Sequence, residues 1–268
     1  MSFQIILILL LTMVIHFVNT LAYSVRIVGV RTGKIAVSFA LFNIVVLVSR
    51  TANTIQAPLI AKTVENSIKH GTSTELLFAF RWILFATTVG TVLAGVFVPT
   101  FQRMYSKAVN SFNINRSIPK LLLYGFSKSG IRQFKENLKV PSKKNITQIN
   151  KLKSIPVKIT ILNMFAVSLL VVGVLSAMYA GVLAPEFRTT ASTLSSIITG
   201  VATIILFVFI DPHLSIMTDD VISGKKSEGE FRTVVTFMIF GRVLGTILAQ
   251  ILLIPSAHII AIIATEIL

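Results

Sequence analysis

The apolar positions of this chain do not alternate with polar ones; they run together in long blocks. Residues 1–25, 82–102, 159–185, 189–210 and 243–265 contain no Asp, Glu, Lys or Arg. Each block reaches the roughly 20 residues a helix needs to cross the hydrocarbon layer of a bilayer. A further apolar region, from Ile35 to Ile60, is interrupted by a single charge, Arg50. The pattern predicts an all-α, polytopic integral membrane protein with about six transmembrane helices. Their expected positions are 3–25, 35–58, 76–99, 157–183, 190–211 and 231–254. Residues 1–99 then carry helices one to three, 100–156 form a large basic cytoplasmic loop, and 157–268 carry helices four to six. The stretch from Phe231 to Leu268 is too long for one straight crossing. Pro255 is expected to end or kink the sixth helix, leaving 256–268 as an interfacial or broken helix. The first block has no basic leader, and no small-x-small cleavage site follows it before Arg26. It reads as a retained first helix and not as a signal peptide.

Composition closes off the alternatives. Of 268 residues, 54% are apolar and 13% charged, against about 25% charged in soluble domains. A water-soluble fold of this size has no way to hide so much apolar surface. Cysteine is absent, which removes disulfides, thiolate metal sites and cysteine nucleophiles. Four histidines leave little for a zinc centre. No metal site and no cofactor are expected.

The net charge of +15 is explained by where it sits. The stretch 100–158 holds thirteen basic residues against one acid, Glu136. Arg26, Arg31 and Lys34 flank the first short loop, and Lys225, Lys226 and Arg232 the loop after the fifth span. The opposite-side loops hold only Lys62, Lys69 and Arg188. This alternation is the positive-inside pattern and places both termini outside. No nucleic-acid module or basic face with aromatic stacking is present, so nucleic acid is not an expected partner. The segment Lys120-Leu-Leu-Leu-Tyr-Gly-Phe with Ile131, Phe134 and Leu138 has two readings. It is an amphipathic stretch lying on anionic phospholipid, each basic residue adding about 1 kcal/mol, or a solvated basic loop.

Candidate chemistry lies in the polar residues at membrane depth. His16, Asn19, Tyr23 and Arg26 follow one another at steps of three and four, extended by Thr12, and so share one face of the first helix. Asn43 and Arg50 share a side of the second, with Asn53 and Gln56 on an adjacent side. Arg81, Thr88 and Thr91 line the third, and Arg242, Thr246 and Gln250 the sixth. The Ser192–Thr203 stripe of the fifth fits helix packing. An Arg at a helix centre costs roughly 2.5–3.5 kcal/mol on insertion scales and calls for a partner or a cavity. No span places an Asp or Glu centrally. Snorkelling to an interface accounts for Arg81 better than for Arg50 or Arg242. A cationic site without a neutralising acid suits an anionic ligand, and guanidinium binds phosphate bidentately. A lipid with a phosphate or pyrophosphate head fits, its tail remaining in the bilayer. The candidate substrate-binding set is Arg50, Arg242, Arg81, Arg26, His16, Asn19, Asn43, Asn53 and Gln56. No catalytic residue is assigned. GxSxG, HExxH and Walker A motifs are missing, and the spacing of His213 and Asp219 is not that of an acyltransferase.

Several segments carry a resemblance to a known family. They are Ile15-His16-Phe17-Val18-Asn19-Thr20-Leu21-Ala22-Tyr23-Ser24-Val25-Arg26, then Gly29-Val30-Arg31-Thr32-Gly33-Lys34, Phe42-Asn43, Leu47-Val48-Ser49-Arg50-Thr51-Ala52-Asn53 and Gln56-Ala57-Pro58. Asp211-Pro212, Thr218-Asp219, Gly241-Arg242, Gly245-Thr246 and Gln250 extend it over essentially the whole chain. The sequence resembles the Amj family of alternate lipid II flippases, which are unlike the MurJ flippases in sequence. The resemblance implies a multi-pass protein of the bacterial cell membrane. It implies movement of undecaprenyl-pyrophosphate-linked peptidoglycan precursor, lipid II, from the inner to the outer leaflet, and no enzymatic activity. It supplies no site residues. A small-anion transporter and a membrane scaffold of the cell-wall machinery remain as the alternative functions.

Overall fold

The computed structural model describes residues 2–115 and 156–267, with Ser127, Arg132, Lys135, Glu136 and Leu138 as isolated positions between them. Among the described residues, six helices are long and apolar enough to cross a membrane. They are α1 (Phe3–Thr32), α2 (Ile35–His70), α3 (Ser73–Asn115), α4 (Val157–Leu183), α5 (Pro185–Ile222) and α6 (Glu228–Ile267). The chain is an all-helical, multi-pass membrane protein.

The helices outrun the apolar blocks that mark them. Hydropathy records where the bilayer ends; a helix continues until its hydrogen-bond ladder is broken. α1 stops at Gly33 and α2 at Gly71, both left-handed, with φ of 66° and 67°. Only glycine adopts that conformation without strain. α2 has 36 residues, about 54 Å at 1.5 Å per residue, well over the roughly 30 Å of hydrocarbon. α3 passes Pro99 and reaches Asn115. Residues 100–115, expected as the start of the basic loop, are therefore helical. Their inward face is anchored by aromatics. Tyr105 is buried, donates to the Ser38 carbonyl at 2.5 Å, stacks on Phe101 and meets Phe42 edge-on. The amphipathic segment expected near 120–138 lies outside the described residues apart from those isolated positions.

The fifth span is segmented. A short turn, Pro185–Phe187, leads into helices Arg188–Thr193 and Ser195–Ile205, a π-turn at Leu206–Ile210, and a final helix Asp211–Ile222. Pro212 accounts for the π-turn: it has no N–H to offer and its ring crowds the carbonyl four residues earlier, so the ladder slips there. α6 behaves differently. Ser227 and Glu230 form a capping box at its start. The helix then continues through Pro255 to Ile262 and closes with a π-turn at Ile263–Ile267. Pro255 does not end the helix. Residues 256–267 extend α6 instead of forming a separate interfacial helix, because a membrane helix tolerates one missing backbone bond.

α1 packs chiefly on α2 and α3, and α4 on both α6 and α5. Small residues set the α1–α3 and α4–α6 contacts. A Cβ on Gly90 would stand 2.7 Å from the Met13 carbonyl oxygen, across the α1–α3 contact. On α6, Cβ atoms at Gly241 and Gly245 would stand 2.7 Å and 2.6 Å from the carbonyl oxygens of Thr160 and Met164. This is the close backbone approach that a Gly-x-x-x-Gly pair permits. α5 is the most peripheral span, with 17% of its apolar window buried, against 50% for α4.

Candidate functional site

The polar face of α1 is turned into the bundle, where four other helices meet it. Gln56 of α2 donates to the Thr12 hydroxyl at 2.5 Å. Ser49 of α2 donates to the Asn19 side-chain oxygen at 3.3 Å. Tyr23 donates to Asn163 of α4 at 2.7 Å, and Asn163 donates onward to the Met238 carbonyl of α6 at 2.7 Å. Arg26 reaches α5: it donates to Ser215 at 2.9 Å, lies 3.5 Å from Asp211, and sits over the Phe39 ring at 5.2 Å. The spacing that made His16, Asn19 and Arg26 one stripe thus becomes a polar seam joining α1, α2, α4, α5 and α6.

His16 and Arg242 meet in this seam. They lie within electrostatic reach of each other. Arg242 is 9% exposed, and its Nε is buried without a hydrogen-bond partner. The His16 Nδ1 is likewise buried and unpartnered. The neighbouring glycines explain the orientation of Arg242. Gly241 and Gly245 face α4, and one residue turns the helix by about 100°, which swings Arg242 toward α1. Its position is about 16 Å along α6 from Phe231, immediately before the charge-free stretch 243–265. Two turns further on, Arg81 of α3 is held by Gln250. The guanidinium donates to the Gln250 carbonyl and, at 3.3 Å, to its side-chain oxygen; Gln250 donates back to the Arg81 carbonyl at 2.9 Å.

The remaining three candidates are not brought to the seam. Asn43, Arg50 and Asn53 are exposed on the outward face of α2. A helical wheel fixes which residues share a side, not which side looks inward; of the pair Asn53 and Gln56, placed on one side by spacing, only Gln56 faces in.

Among the described residues, arginine ion pairs join Arg26 to Asp211, Arg31 and Arg232 to Glu228, and Arg132 to Glu136. Arg50, Arg81 and Arg242 take part in none. Three side chains hydrogen-bonded to the polar face of α1 are absent from the candidate set: Ser49, Asn163 and Ser215. Asn163 is the single Asn of the fourth span, which is the signal that marks it. Ser215 has no such signal. Among the described residues, no group of His, Asp or Glu is placed to hold a metal ion. A separate cavity of about 430 Å³ opens where α1 starts, α2 ends and α3 starts, lined in part by Gln4, Thr63, Ser67, His70 and Glu75.

Residues 11–264 match the model of the family described as Amj, Alternate to MurJ. The chain belongs to the Amj family. It is 37% identical over 259 residues to the Lipid II flippase Amj of Bacillus subtilis (strain 168), a match covering 96% of each chain. The family resemblance that begins at Ile15 and runs to Gln250 is thus the correct one. No solved structure matches the chain.

Proposed function

We propose that this protein is a lipid II flippase, moving undecaprenyl-pyrophosphate-linked peptidoglycan precursor from the inner to the outer leaflet of the bacterial cell membrane. The near-full-length likeness to a flippase of that substrate carries the reading, and the chemistry of the spans agrees with it. A pyrophosphate head is an anion that must traverse the hydrocarbon layer. Arg242 is a cation at membrane depth, buried with an unpartnered Nε and no acid beside it. Such a group is costly alone and favourable beside a phosphate. In this reading Arg50 and Arg242, which no acid among the described residues pairs, meet the pyrophosphate, while Arg26 and Arg81 are held by Asp211 and Gln250. Of the polar candidates, His16, Asn43 and Asn53 are left to receive sugar and peptide, Asn19 and Gln56 being bonded to Ser49 and Thr12.

Both termini face outward and the basic 100–156 region faces the cytoplasm, following the positive-inside distribution. In this reading Lys and Arg of that region contact anionic phospholipid. The test is leaflet translocation of labelled lipid II in proteoliposomes. Transfer well above that of protein-free vesicles is expected. No transfer, where a control flippase is active in the same vesicles, overturns the reading. Electrogenic flux of a small anion without lipid movement replaces it with an anion transporter.

A further inference from the structure

We propose that lipid II binds from the side, out of the bilayer, on the outward face of α2, with Arg50 as the contact for its pyrophosphate. This deepens the flippase reading and rests on it.

The seam inside the bundle is largely committed to itself. Gln56 is bonded to Thr12, Asn19 to Ser49, Tyr23 to Asn163, and Arg81 to Gln250. Those bonds hold helices together. The outward face of α2 differs: Asn43, Arg50, Thr51, Asn53 and Thr54 are exposed at membrane depth. Among the described residues, the side chains of Asn43, Arg50 and Asn53 have no hydrogen-bond or ion-pair partner. Arg50 lies eight residues, about 12 Å, before the outer end of the predicted span at Pro58, farther than Arg81 lies from its own. A face of this kind left against hydrocarbon is expensive. An occupant that brings negative charge removes the cost.

The occupant must also tolerate lipid. Leu47, Val48 and Ile55 flank the polar ridge and are 58%, 56% and 47% exposed. The face is therefore amphipathic in the same sense as the substrate, with polar groups for the head and apolar groups beside them for the polyprenyl tail. A second copy of the chain fits less well. A symmetric contact through this face would bring two unpaired Arg50 guanidinium groups into one low-dielectric interface, where like charges repel strongly.

The chain contains no cysteine, so single cysteines can be introduced without removing any. A benzophenone-maleimide probe is attached to Asn43→Cys, Asn53→Cys and, as a control, Phe207→Cys; Phe207 is 64% exposed on α5. Proteoliposomes containing labelled lipid II are then irradiated. Crosslinking to lipid II at positions 43 and 53 about tenfold above position 207 is expected, the scale of one charge-assisted contact. Equal crosslinking at all three positions overturns the proposal. Crosslinking of one chain to another at 43 or 53 also overturns it and assigns the face to self-association. In parallel, Arg50→Ala should raise the mole fraction of lipid II giving half-maximal transfer by about tenfold, with the rate recovering at high lipid II. A native half-saturation, or a rate that no amount of lipid II restores, counts against a pyrophosphate contact at Arg50. If the native chain moves no lipid II, the flippase reading fails instead. Crosslinking reports binding alone and separates the two failures.

Discussion

At the scale of single residues, the close helix contacts and the buried cation make opposite demands. Gly245 is there because nothing larger fits against the Met164 carbonyl at 2.6 Å. Gly245→Val is expected to cost about 1–3 kcal/mol through overpacking, read as a lowered thermal midpoint in detergent. Gly200, with nothing within 4 Å of its Cβ position, is the comparison: Gly200→Ala leaves the midpoint unchanged or raises it. Equal effects at both sites would mean that the α4–α6 contact is looser than described. The sequence made much of this scale readable. Spacing showed that His16, Asn19, Tyr23 and Arg26 share a face, and the lack of central acids showed that Arg50, Arg81 and Arg242 need other partners. It did not show that an amide, Gln250, would hold Arg81, because pairing across helices depends on relative depth and rotation. For the same reason it did not show that Asn43, Arg50 and Asn53 look out while Gln56 looks in.

At the scale of elements, all six spans were legible, since a charge-free block of bilayer length has few other uses. Their ends were not. α3 was expected to stop near 99 and runs to Asn115. Pro255 was expected to end or kink α6, and the helix runs on through it to Ile262. Hydropathy senses the solvent, whereas helix ends are set by glycine caps and by packing such as that of Tyr105 on Phe101 and Phe42. The element most open to movement is α5. It is the least buried span, and its π-turn at Leu206–Ile210 interrupts the regular ladder. Hydrogen exchange in nanodiscs should be faster over 206–212 than over the middle of α4. Pro212→Ala should slow it by allowing regular α-helical bonds. Protection equal to that of α4 would show that the π-turn is no weak point.

At the scale of the whole molecule, the account depends on how the chain lies in the membrane. The basic loops predict both termini outside. A membrane-impermeant maleimide applied to intact cells should label Ser2→Cys and leave Ser223→Cys unlabelled until the membrane is opened. The reverse pattern would invert the direction in which α1 and α6 carry His16 and Arg242 through the bilayer. Within that frame, the central claim is that intramembrane arginines without acidic partners serve an anionic lipid head. The most direct measurement is the initial rate of labelled lipid II transfer by the native chain, Arg50→Ala and Arg242→Ala, at low lipid II in matched proteoliposomes. Each variant is first shown to be folded by its elution and thermal midpoint. The account predicts fast transfer by the native chain and at least about tenfold slower transfer by each variant, the loss of one charge-assisted phosphate contact. Equal rates for all three would contradict it.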